Sequence, residues 1–339
     1  MLESNPSTVR KRKPMLKILH DIFYCTSLTG KALARDEFSL CFQQHVYERK
    51  QKCSFRYGIS VGVRYGVLLP LRTIFVIATL FFFSVLIILS RVLLLGLASN
   101  MLVSLACRVL LGIIGIRVKY YGKKPRPKDP HVFASNHTTY MDYLVLSGYG
   151  FSHSVVAQRH TGVMPMLLKL ISGSVQFERN VRANRNVLKE ELKKVAPSLH
   201  TLVFPEGTCV NNEYTVMFQK GIFDLGITVC PVAIKYSKEM GDAFWNTKKQ
   251  SFSKHFFYMI TRWKTDASVW WMPPTARGDE ETAAEFAARV KKRISERAGL
   301  KNLVWNGYLK HCTTPDEMKE MRMHGGASPL PLLSSYIDR

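Results

Sequence analysis

Residues 73–90 read TIFVIATLFFFSVLIILS, 18 uncharged and mostly apolar positions held between Arg72 and Arg91. A helix rising about 1.5 Å per residue needs a run of about this length to cross the hydrocarbon of a bilayer. The segment must therefore enter a membrane or be buried on every side in a soluble core, and its length favours the membrane. Residues 92–116 are nearly as apolar but contain Asn100 and Arg108, and an arginine at the bilayer centre costs on the order of 3 kcal/mol. Basic residues flank the pair on both outer sides, with Arg49, Lys50, Lys52, Arg56 and Arg64 before it and Arg117, Lys119, Lys123 and Lys124 after it. The bias of basic loops toward the cytosol then predicts a membrane-embedded hairpin over 67–116 whose two ends share the cytosolic face. Residues 1–66 are polar and basic and lack the short apolar stretch of a signal peptide, so they are expected to form a cytosolic N-terminal segment.

The 48 Lys and Arg residues against 25 Asp and Glu give a formal charge of +23. That balance favours an anionic partner: nucleic acid, an anionic lipid surface or a phosphorylated substrate. The basic residues are dispersed, with no helix-turn-helix, zinc or RNA-recognition pattern, which argues against nucleic acid. The 7 cysteines form no Cys-x-x-Cys pair and no ligand cluster with histidine, and read as reduced thiols.

Beyond the Pro- and Lys-rich stretch 123–130, short apolar runs alternate with helical stretches, the pattern of an α/β domain. Strands are expected at 131–135, 152–157, 173–178, 200–204, 228–235 and 268–272, and helices at 140–149, 162–172, 182–195 and 280–298. Pro231 inside a strand predicts an edge or a bulge. The domain is expected to occupy 117–306, followed by a mostly extended tail over 307–339.

Three loops at strand ends carry candidate chemistry. The first is Asn136-His137-Thr138-Thr139-Tyr140-Met141-Asp142. A neutral imidazole can accept a hydroxyl proton near neutral pH, and a carboxylate at its other nitrogen would fix its tautomer. On a regular helix, residues five apart point roughly 140° away from each other, so His137 can reach Asp142 only from the loop ahead of the helix. The plainer reading makes Asn136 or Thr138 a helix cap and Asp142 a partner of the helix dipole. The second loop, Phe204-Pro205-Glu206-Gly207-Thr208, supplies a turn, a carboxylate and a backbone that a ligand can approach closely. Close behind it, Lys220 stands beside Gly221, as in a phosphate site. The third loop follows Phe177-Glu178-Arg179, where Arg179 could grip a phosphate or simply pair with a surface acid. Asn136-His137-Thr138 also spells a glycosylation acceptor, and a glycan there would block the base. The site is therefore expected to face away from the glycosylating lumen.

The order of these blocks resembles the glycerophospholipid acyltransferase family. The stretches VFPEGTCVNN, VMFQKG, CPVAIKY, GDAFWN and WWMPP are similar to its endoplasmic-reticulum glycerol-3-phosphate acyltransferase branch, and the likeness runs from about residue 58 to 325. The resemblance implies an α/β fold with a mixed sheet flanked by helices behind the membrane hairpin. It implies that His137 is the general base and Asp142 its orienting partner, acting without an acyl-enzyme intermediate. Arg179, helped by Lys220, would hold the acceptor phosphate. Glu206, Gly207 and Thr208 would position the glycerol backbone, and Pro231 would line the acyl or CoA path. The implied substrates are acyl-CoA and glycerol 3-phosphate at the endoplasmic reticulum membrane, with no metal and no bound cofactor. Thr139-Tyr140-Met141 departs from the Ser-Pro-Ile usual in the branch, and Cys209 stands where the lysophosphatidic acid branch usually carries Arg, which favours glycerol 3-phosphate as acceptor. The alternatives are a lysophospholipid acceptor, or a catalytically silent protein that binds anionic lipid.

Overall fold

The apolar run at 73–90 forms a helix that is longer than the run itself. In a computed structural model, which describes residues 40–45, 55–93, 95–158, 175–177, 200–307 and 310, helix extends from Phe55 to Val92, 38 residues. It comprises α1 (Phe55–Val63), a π-turn (Arg64–Leu68) and α2 (Leu69–Val92). The wide turn has a local cause: Pro70 lacks an N–H and its ring crowds the carbonyl four residues back, at Gly66. Helix α3 (Gly96–Ile114) folds back on α2 and ends at Gly115, whose φ of 86° is the left-handed cap that favours glycine. A Cβ at Gly115 would lie 2.5 Å from Arg72 Nη2.

These helices are long and apolar enough to enter a membrane, and α2 turns Ile74, Phe75, Ile77, Phe81 and Phe82 outward. Their opposite face packs on the α/β domain, where Phe83, Ile87, Val103, Ala106 and Cys107 bury against Tyr143 and Leu144. Arg108 on α3 donates Nε to the Gly148 carbonyl at 3.1 Å. Arg91 likewise reaches Ser99 Oγ at 3.3 Å.

The α/β domain is built on a seven-stranded sheet of order β1-β8-β7-β2-β5-β3-β4. The strands are β1 (Ile116–Tyr121), β2 (His131–Ser135), β3 (Ser154–Gln158), β4 (Val175–Phe177), β5 (Thr201–Val203), β7 (Thr228–Tyr236) and β8 (Thr265–Trp271). A small pair, β6 (Tyr214–Thr215) and β9 (Lys301–Asn302), lies apart. Strands β7, β2, β5, β3 and β4 run parallel, while β8 is antiparallel to β7 and carries β1 parallel to itself. The sheet is therefore mixed. Both faces are covered, so every residue of β2 is buried: Phe133 meets the core under α3 and α4 (Met141–Ser147), whereas Val132 and Ala134 meet α6 (Ala283–Ala298). Helix α6 opens with a reciprocal Thr282–Glu285 capping box.

Several elements were not expected from the sequence, among them α1 and the short strands β6 and β9. Strand β1 follows α3 after a single glycine, so its alternating pattern merges with the basic flank of the hairpin. Helix α5 (Phe252–Ile260), with Ser251 as its cap, hides in an aromatic stretch. The expected helices at 162–172 and 182–195 lie outside the described residues. Pro231 sits in an interior strand, and the ladder explains how it is tolerated. Pairing with β8 stops at Val232–Trp271, and Val229 next pairs with Thr275, one residue out of register, so the missing N–H falls at a bulge.

The compact unit that holds this sheet runs Cys41–Lys310. Residues 41–45, ahead of α1, thus pack with the domain that follows α3.

Candidate active site

The parallel strands β2 and β5 are neighbours, and both end at the same edge of the sheet, where α/β folds place reactive loops. His137 follows β2 and Glu206 follows β5, so the chain brings the first two motifs together across one strand spacing.

His137 stands in the loop ahead of α4 and Asp142 in its first turn, the one arrangement in which the pair can meet. His137 Nδ1 lies 2.9 Å from Asp142 Oδ2, and the carboxylate is wholly buried. The same oxygen accepts the N–H groups of Thr138 (2.7 Å) and Thr139 (3.1 Å). Asp142 is thus both the helix-terminus partner of the plain reading and the partner of the imidazole. Its other oxygen accepts from Tyr236 Oη at 2.6 Å. In the neutral ring, with Nδ1–H held by the carboxylate, Nε2 carries the lone pair that can take a proton.

The imidazole keeps 20% of its surface exposed and stacks on Phe204, 4.2 Å between centroids. Burial disfavours its charged form, but the neighbouring Cys209 sulfur and the Asp142 carboxylate outweigh it and raise the ring's pKa to about 10. The backbone is held as well: His137 N–H donates to Glu206 Oε2 at 2.7 Å, and its carbonyl accepts from Val210 N at 2.8 Å.

Glu206 is buried, and both of its oxygens are engaged by backbone, the second by Val216 N at 3.2 Å. Burial pushes its pKa up to about 8 against those two hydrogen bonds. Its geometry is that of a brace for the His137 loop. Gly207 makes the turn with φ 65°, and Thr208 Oγ1 and Thr139 Oγ1 are buried hydroxyls without a hydrogen-bond partner among the described residues. Gly307 closes over this turn so tightly that a Cβ would lie 2.8 Å from Thr208 Cγ2.

Lys220 is exposed on a 3-10 turn next to Gln219, whose N–H donates to the Pro205 carbonyl. It makes no ion pair among the described residues. Arg179 lies outside them; β4, two residues before it, ends at the same sheet edge as β2. Pro231 is buried in β7, facing Ala134 of β2. Asn136 is buried too: its amide pairs with both the N–H and the carbonyl of Ile234, at 2.9 and 3.0 Å. The glycosylation pattern is therefore consumed by the fold. No cluster of three or more His, Cys, Asp or Glu side chains suited to a metal occurs among the described residues.

The sequence reading missed Tyr236, Phe204 and Asn212. Asn212 donates to Thr138 Oγ1 (2.9 Å) and accepts from Tyr236 N (2.6 Å), tying the loops together. All three stand in quoted motifs, yet nothing local marks these roles, because their partners lie 24 to 94 positions away.

Residues 117–235, which carry the parallel strands of the sheet and the His137–Asp142 loop, match the Acyltransferase family. Glycerol-3-phosphate acyltransferase 3 of Rattus norvegicus is 32% identical over 357 residues, covering 94% of this chain and 77% of that protein. The Homo sapiens protein of the same name is 33% identical over 331 residues, covering 89% and 75%. The Xenopus laevis protein is 37% identical over 222 residues, 64% of this chain and 50% of its own length. The chain belongs to the glycerol-3-phosphate acyltransferase family. Among solved structures, the 1-acyl-sn-glycerophosphate acyltransferase PlsC of Thermotoga maritima aligns with a TM-score of 0.39 and 17% identity, over 67% of this chain and 96% of that one.

Proposed function

We propose that the protein transfers a fatty acyl group from acyl-CoA to the hydroxyl of glycerol 3-phosphate, giving lysophosphatidic acid and free CoA. The observation that carries this reading is the His137–Asp142 pair, 2.9 Å apart on a braced loop, in a chain of this family. His137 Nε2 takes the hydroxyl proton as the oxygen bonds to the thioester carbonyl carbon. The tetrahedral adduct then collapses, the carbon–sulfur bond breaks, and the imidazolium returns the proton to the CoA sulfur. Asp142 balances the charge that builds on the ring and keeps Nε2 aimed outward.

Arg179 holds the acceptor phosphate, with Lys220 as helper. Gly207 and Thr208 shape the glycerol subsite beside the braced Glu206, and Pro231 lies in the wall of the acyl-CoA path. No metal or bound cofactor takes part. The apolar hairpin keeps the enzyme at the membrane where its acyl product resides, taken here as that of the endoplasmic reticulum, and the basic flanks support a site that faces the cytosol.

Initial-rate kinetics of purified protein in detergent test the acceptor side of this reading. Arg179→Ala is expected to raise the apparent KM for glycerol 3-phosphate by about 10-fold or more, because it removes a charge-assisted grip on phosphate. A change confined to the acyl-CoA constant would remove Arg179 from the acceptor site.

A further inference from the structure

Residues 41–45 precede both apolar helices in the chain, yet they lie on the loops that grip His137. Cys41 is fully buried, and its carbonyl accepts from Asn211 N at 2.8 Å. The Gln43 carbonyl accepts from Asn211 Nδ2 at 3.0 Å. A second loop is held in the same way: Asn246 Nδ2 donates to the Phe42 carbonyl (2.9 Å), His45 N–H donates to Asp242 Oδ2 (2.8 Å), and Gln250 Nε2 donates to Gln44 Oε1 (3.2 Å). The Lys310 ammonium stands 4.8 Å from the Phe42 ring and donates to the Cys209 carbonyl at 3.2 Å, fastening the segment from its other side.

The two loops joined in this way both hold the catalytic loop. From the first, Val210 N–H donates to the His137 carbonyl, and Asn212 Nδ2 donates to Thr138 Oγ1. From the second, Trp245 N–H donates to the Thr138 carbonyl at 3.1 Å. One short segment therefore links the two loops that fix His137 and Thr138 from opposite flanks. A backbone so fixed sets the aim of Nε2, and displacing a catalytic group by about 1 Å can cost on the order of 100-fold in rate.

We propose that residues 41–45 are a working part of the acyl-transfer centre: a strap that clamps the 209–212 and 242–246 loops in the position from which they orient His137. This rests on the acyl-transfer reading above. The strap residues position the base and do not touch the reacting atoms. It follows that the catalytic unit begins ahead of the membrane hairpin, which is an insertion within the enzyme rather than an anchor attached to it.

The test uses the full chain, with residues 41–45 replaced by Gly-Ser-Gly-Ser-Gly and the hairpin untouched. A second variant, Asn246→Ala, removes one clamp from the loop side and leaves the strap sequence intact. Turnover of palmitoyl-CoA and glycerol 3-phosphate is read beside hydrogen exchange of the Asn211 amide, whose acceptor is the Cys41 carbonyl. The strap replacement is expected to lower kcat by about 10- to 100-fold with little change in either KM, and to speed exchange at Asn211. Asn246→Ala is expected to lower kcat by a few-fold, about 2 to 5, and a synthetic peptide of residues 38–47 should restore part of the kcat lost on strap replacement. A kcat within about threefold of wild type after strap replacement, or an Asn211 amide that stays protected, overturns the proposal. Wild-type protein without turnover would overturn the reading on which it stands.

Discussion

His137→Ala is expected to abolish about 100- to 10,000-fold of turnover while the protein remains membrane-bound, since that is the usual contribution of a positioned base. The structure makes this substitution a clean one. The imidazole is partly exposed and packs mainly on Phe204, and the loop is held by backbone hydrogen bonds to Glu206 and Val210 that alanine retains. The apolar helices α2 and α3 are not touched. Initial rates with labelled palmitoyl-CoA, read beside flotation with vesicles, check both halves of the expectation. Near-normal turnover would remove His137 from the chemistry.

Asp142→Asn is expected to cost about as much, on the order of 100- to 10,000-fold, for a different reason. An asparagine oxygen can take the place of Oδ2 and accept from Thr138 N, Thr139 N and His137 Nδ1, while its amide donates to Tyr236 Oη, which turns to accept. The loop keeps its shape and only the charge is lost. The pH dependence separates charge from shape. In the wild type, the imidazolium must shed its proton before it can accept one, and its raised pKa makes kcat/KM climb with pH through and above neutrality. Without the carboxylate, the charged ring loses a stabilising partner and its pKa falls. The rising limb should then move to lower pH while the plateau drops. An unshifted limb in the variant would show that Asp142 does not set the basicity of His137.

Much of the scaffold can be read locally. Strand β2 is bounded as expected because HVFAS is a short apolar run between Pro130 and a polar loop. Helix α6 carries its own start signal in Thr282 and Glu285. The His137–Asp142 pair is legible because spacing forces His137 out of the helix. What escaped depends on distance. Tyr236 lies one residue past the strand expected at 228–235, and only the sheet order, which sets β7 beside β2, carries its hydroxyl to Asp142. Glu206 reads as a ligand-facing carboxylate until the β2–β5 pairing supplies the His137 N–H that occupies it. Residues 41–45 carry no periodicity at all. Their place is fixed by hydrogen bonds to residues about 170 to 200 positions further on.

The hairpin reads differently once it is packed. Arg108 argues from sequence against the second apolar segment, since hydropathy assigns each residue its cost in lipid. In the fold its guanidinium caps the end of α4, and α3 buries one face on the domain that holds His137. The apolar helices and the sheet share one core, in which Val76, Leu110, Leu111 and Ile114 pack with Phe133 and Cys230.

The most direct measurement is the product formed by purified protein in detergent from labelled palmitoyl-CoA, with glycerol 3-phosphate and lysophosphatidic acid offered separately. Labelled lysophosphatidic acid with stoichiometric release of CoA from the glycerol 3-phosphate reaction is the expected result. Transfer to lysophosphatidic acid alone, or no transfer to either acceptor, would contradict it.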